Sequence, residues 1–117
     1  MGRLTTHVLD TAQGCPGVGM QLALFRLNGG GRALMRTVQT NADGRCDKPL
    51  LEGTDFLEGE YELIFQAGDY FKSLSIQLPD PPFLDEVVLR FGIADPEQHY
   101  HVPLLISPWS YSTYRGS

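Results

Sequence analysis

The sequence predicts a single all-β domain, a sandwich or a barrel, and two patterns carry that prediction. Apolar residues recur at every second position, the period of a half-buried strand, and not at the 3.6 of a helix. The runs lie about ten residues apart with turn chemistry between them, the rhythm of sandwiches and barrels. A chain of 117 residues and 13.0 kDa suits one domain spanning residues 1–117. Its 42% hydrophobic and 20% charged content is that of a globular protein and argues against disorder.

Leu4, Thr6 and Val8 form a weak apolar face in the first predicted strand. Gly19 to Leu27 is apolar on both faces, which predicts a central strand. Asn28 to Gly31 supplies the positive φ angles of a hairpin, and Ala33 to Thr40 is its second arm. Asn41-Ala-Asp-Gly44 is another turn. Tyr61, Leu63 and Phe65 alternate with Glu60, Glu62 and Ile64. Asp69 to Leu74 is the one helix candidate, with Asp69 placed to cap it, and it reads as a short ornament between strands. Asp80-Pro-Pro82 and Asp95-Pro96 stop strands, because proline has no ladder donor. Val87, Leu89 and Phe91 face one way on the next strand. Tyr100, Val102, Leu104 and Ile106 do so on the one after. The ending, Ser107 to Ser117, holds Trp109, Tyr111 and Tyr114, which predicts a segment that pairs as a strand and packs.

Nine Lys plus Arg against fourteen Asp plus Glu give a net charge of −5. Such a chain makes a poor general binder of nucleic acid, whose phosphates call for a basic surface. No polybasic segment draws it to anionic lipid. Gln98 to Tyr114 lacks charge, but Pro103 and Pro108 interrupt it and it is too polar for a membrane span. The first ten residues contain no apolar signal core, so the expected compartment is cytoplasmic. Cys15 and Cys46 are too few for a disulfide scaffold and read as free thiols, with their pairing left open.

His7, His99 and His101 are the scarce chemical resource. Alternation puts His7 with Thr5 and Leu9, and His101 with His99, Pro103 and Leu105, away from the apolar faces of their strands. Exposed histidines are ordinary, but histidine mixed with leucine on an outward face marks a candidate groove or interface. His99 and His101, two apart on a strand, could also hold a metal with His7 as third ligand, although no carboxylate stands at a liganding spacing. The glycines of the hairpin lack the helix and the Lys-Ser/Thr of a phosphate loop, and no nucleophile elbow is present. Arg45 follows a turn directly, where a solvated loop arginine is the ordinary reading.

Four segments together go further. Leu4-Thr-Thr-His-Val-Leu-Asp10, Asn41-Ala-Asp-Gly-Arg45, His99-Tyr-His-Val-Pro-Leu-Leu-Ile-Ser-Pro108 and the terminal Tyr114-Arg-Gly-Ser117 resemble the 5-hydroxyisourate hydrolases, transthyretin-like enzymes of purine degradation. The resemblance runs from Leu4 to Ser117. The terminal Tyr-Arg-Gly-Ser is its most specific feature, since the hormone-carrying transthyretins of the same fold lack it. They also lack the histidine and arginine found at the positions of His7, Arg45 and His101. The resemblance implies an eight-stranded transthyretin-like sandwich with one short helix, and a homotetramer, a dimer of dimers, with sites in a channel at the dimer–dimer interface. It implies water attack on a ring amide carbonyl of 5-hydroxyisourate, opening the six-membered ring to 2-oxo-4-hydroxy-4-carboxy-5-ureidoimidazoline, with no metal and no cofactor. His7 and His101 would flank the water, Arg45 would hold substrate oxygens, Tyr114 and Arg115 would shape the pocket, and the Ser117 carboxylate would fix Arg45, Arg115 or a histidine tautomer. His99 is the weaker motif match and reads as supporting or exposed. A carrier of the transthyretin type, a three-histidine metal enzyme and a plain interaction module are the alternatives.

Overall fold

The computed structural model describes residues 1–117. Nine strands, one 3-10 turn and one α-helix build it in chain order: β1 (Arg3–Asp10), β2 (Cys15–Pro16), β3 (Gln21–Asn28), β4 (Gly31–Gln39), β5 (Leu51–Glu52), the turn Gly53–Asp55, β6 (Gly59–Gln66), α1 (Ala67–Ser73), β7 (Glu86–Ile93), β8 (Tyr100–Ile106) and β9 (Tyr111–Ser112). One sheet runs β2-β1-β8-β9, with β5 also pairing β1, and the other runs β4-β3-β6-β7. Three of the nine, β2, β5 and β9, are two-residue pairings, and they take the count past the expected eight.

Alternation decides what each strand buries. On β1, Leu4, Thr6, Val8 and Asp10 point inward and Thr5, His7 and Leu9 outward. On β8, Tyr100, Val102, Leu104 and Ile106 are buried, as the sequence predicts. They meet Tyr61, Leu63 and Phe65 of β6 and Val87 and Leu89 of β7 in one core between the sheets. As predicted, β3 lies inside its sheet, between β4 and β6. Its hairpin to β4 turns at Gly29 and Gly30, and a register shift between Leu24 and Phe25 marks a bulge.

Three expectations change. Asp69 does not cap α1: the chain enters the helix directly from β6 through Gln66, no side chain caps it, and Asp69 lies within the first turn. The helix is also more than an ornament, because Ala67, Tyr70 and Phe71 share one face and enter the core. The C-terminal segment pairs, through β9 on β8 and a bridge between His101 and Gly116, but its aromatics stay out of the core. Trp109, Tyr111 and Tyr114 are 59%, 45% and 60% exposed. Both cysteines are free.

One buried carboxylate anchors the helix to the sheet. Asp10 is fully buried, and its oxygens accept from the Ala12 and Gln13 backbone N–H groups, the Gln13 amide and the Tyr70 hydroxyl. A charge out of water needs this number of donors.

Candidate active site

The site begins with a strand pairing. β1 and β8 run parallel, with Thr5 opposite His101 and His7 opposite Pro103. Residues in register project from the same face, so the outward histidines of two distant segments come together. Their ring centroids are 6.5 Å apart. The loop after β4 then docks on β1. The Val8 N–H donates to the Gly44 carbonyl at 2.7 Å, and Arg45 forms an isolated antiparallel bridge with His7. Gly44 makes that docking possible. Its φ is +74°, and a Cβ there would stand 2.4 Å from the Val8 carbonyl oxygen.

The other end of the chain completes the arrangement. The Gly116 N–H donates to the His101 carbonyl at 2.7 Å, and the His101 N–H donates to the Gly116 carbonyl at 3.2 Å. This leaves Ser117 on the wall of a cleft of about 520 Å³ that Arg45 and His101 also line. Arg3, Thr5, Lys48 and His99 contribute further polar walls, and sequence reasoning identified none of Arg3, Thr5 or Lys48 as site residues. Cationic side chains outnumber acidic ones there, in a chain of net charge −5.

The two imidazoles are held differently. His7 Nε2 lies 3.0 Å from the Asp43 carbonyl oxygen, and a carbonyl only accepts, so Nε2 carries a proton. His101 Nδ1 lies 2.8 Å from the Thr5 hydroxyl. Burial, then the Arg45 charge, then His7 push the His101 pKa below the ordinary histidine value. A histidine so placed is neutral at pH 7 and can accept a proton. Beside Arg45, the Cys46 thiol is pushed up to about 11 by burial and by Asp47, so it is a poor nucleophile.

Tyr114 and Arg115 do not join His7, Arg45 and His101 within the chain. They line a separate groove of about 430 Å³ beside β7, with Tyr111 and Val88. The Arg115 guanidinium sits over the Tyr100 ring and donates to the Gln98 side chain and the His99 carbonyl. The Ser117 carboxylate makes no ion pair with Arg45 or Arg115 within 4.0 Å. His99 is exposed at the cleft's edge, and no three His, Cys, Asp or Glu side chains converge as a metal site would require.

The sequence model of the HIUase/transthyretin family matches residues 4–116. The chain belongs to the HIUase/transthyretin family. A 5-hydroxyisourate hydrolase of Pseudomonas aeruginosa is 63% identical over 117 residues, covering 100% of this chain and 93% of that protein. Among solved structures, the Klebsiella pneumoniae 5-hydroxyisourate hydrolase is 30% identical, with a TM-score of 0.82 and complete coverage of both chains. An (S)-allantoin synthase aligns with a TM-score of 0.94 and 50% identity, over 99% of this chain and 44% of that one. The transthyretin-like sandwich expected from the sequence is therefore the fold of this family member.

Proposed function

We propose that the protein hydrolyses 5-hydroxyisourate to 2-oxo-4-hydroxy-4-carboxy-5-ureidoimidazoline, a step of urate degradation. The observation that carries the reading is the meeting of Arg45, His101 and Ser117, from three distant stretches, at one cleft, with His7 bridged to Arg45 and its ring 6.5 Å from that of His101. Full-length similarity to a protein named for this activity supports it.

The chemistry follows from the charges. Water is a poor nucleophile until a base takes its proton, and His101, held neutral, is that base. The water oxygen bonds to the ring carbonyl carbon while its proton passes to the imidazole. Arg45 keeps its charge and stabilises the oxyanion that develops. The ring C–N bond then breaks, and the imidazolium returns the proton to the departing nitrogen. His7, with Nε2–H committed to Asp43, presents Nδ1 as an acceptor that orients water or a substrate N–H. Nothing in this sequence of steps needs a metal or another cofactor.

The groove at Tyr114 and Arg115 enters through assembly. Its apolar walls lie beside β7 and β9, one free edge of each sheet, where a second copy can extend them. A homotetramer, a dimer of dimers, would bring Tyr114 and Arg115 against other protomers and close the open cleft. The protein works in the cytoplasm in this reading; no helix is long and apolar enough to cross a membrane.

Ultraviolet monitoring of freshly generated 5-hydroxyisourate tests the activity. The protein should speed its disappearance, whereas a transthyretin-type carrier would not. His7→Asn, Arg45→Glu and His101→Asn should each lower the rate by about 10²–10⁴-fold with the β-rich circular dichroism intact. Unaltered rates in all three variants would remove this site from the reaction.

A further inference from the structure

A histidine acting as a base needs one nitrogen committed elsewhere and its ring held still. Thr5 is placed to do the first. It is the register partner of His101 across the parallel β1–β8 pair, and its hydroxyl makes the one side-chain hydrogen bond to that ring, at 2.8 Å. Threonine is stiff at χ1, so the oxygen is held in place by its own backbone. Gly116 is placed to do the second. A Cβ at Gly116 would stand 3.1 Å from His101 Cβ and 3.2 Å from Cδ2, so bare backbone is what leaves the ring its position. Turning the ring over would exchange Nδ1 for Cδ2 and forfeit the bond to Thr5.

We propose that Thr5 is a positioning residue whose hydroxyl oxygen accepts from His101 Nδ1–H, fixing the tautomer in which Nε2 bears the lone pair. The proposal deepens the reading of His101 as the base and rests on it. The opposite arrangement, with Thr5 donating to Nδ1, would put the ring's proton on Nε2 and leave the only lone pair occupied by threonine. With Thr5 accepting, Nε2 takes the proton from water while the Nδ1–H bond to Thr5 persists throughout. No hydrogen bond has to be remade at the moment of reaction, which is the advantage of a preorganised site.

The tautomer can be read without substrate. In protein carrying 15N-labelled histidine, two-bond 1H–15N correlations should show His101 as the Nδ1–H form. Thr5→Val keeps the shape but offers no acceptor, and should move His101 toward the Nε2–H form. Thr5→Ser should restore the Nδ1–H form. In the isourate assay Thr5→Val should lower kcat by about 10–100-fold, the range seen when the outer partner of a metal-bound histidine is lost, with KM changed little. Thr5→Ser should recover most of kcat. An Nε2–H form in the unaltered protein, a tautomer indifferent to Thr5→Val, or equal losses in the Val and Ser variants would each overturn the proposal. Absence of turnover in the unaltered protein would instead count against the hydrolase reading, with the tautomer measured independently of it.

Discussion

His7 and His101, with rings 6.5 Å apart, differ because their neighbours differ. His7 is tied through Nε2 to a backbone carbonyl, while His101 is part-buried and faces Arg45 and His7. Burial and a nearby positive charge both disfavour the imidazolium, so His101 must titrate below the ordinary value near 6.5. The sign fixes the pH dependence. His101 stays unprotonated as pH falls through 6.5, so the acid limb of the rate profile should have its midpoint below that value. Arg45→Gln removes one of the charges, and the His101 midpoint in an NMR titration should then rise. A midpoint that stayed put would show that burial and His7 set it without Arg45. The outward placement of His7 and His101 was legible in strand alternation. Their meeting with Arg45 was not, because positions dozens of residues apart carry no local mark of being partners. The motif resemblance supplied that link. Thr5 stood on the same alternating face as His7, but a lone threonine has no signature of its own.

At the scale of elements, the loop carrying Arg45 depends on a single residue in a left-handed conformation. Gly44 docks against Val8 at φ +74° with no room for a Cβ. Gly44→Ala should cost at least about 1–2 kcal/mol from the conformation alone. The collision with the Val8 carbonyl adds to that and must push the loop off β1. The expected result is a lower thermal midpoint together with a loss of turnover at 25 °C, where the variant is still folded. Full activity in a folded Gly44→Ala protein would mean that the loop's docking does not position Arg45. The turn itself could be read from Asn41-Ala-Asp-Gly44, because its residue types fit turns. The helix was harder. Asp69 looked like a cap because aspartate usually is one at a helix start, yet the strand runs into the helix without a break and its buried face, not a cap, holds it. Tyr70 shows the same tertiary control: its hydroxyl reaches Asp10, sixty residues away, a contact that no local pattern encodes.

For the whole molecule, the exposed aromatics pose the question of assembly. A chain that buries twenty-one hydrophobic residues in one core still leaves Phe83, Trp109 and Tyr114 between 59% and 69% exposed. Tyr111 and Tyr114 border the groove beside β7, and the strands there, β7 and β9, are each one edge of their sheet. Unpaired edges invite another strand, and apolar walls beside them give that pairing a hydrophobic drive. A second copy meets both needs, since it presents the same edges. Tyr111→Arg should therefore shift sedimentation toward smaller species, because a charge at the edge cannot be buried without a partner. If the site depends on the assembly, turnover per chain should fall in step with the large species and recover as protein concentration drives association. A Tyr111→Arg protein that kept its size and its rate would show that the edge at Tyr111 is not the contact on which turnover depends.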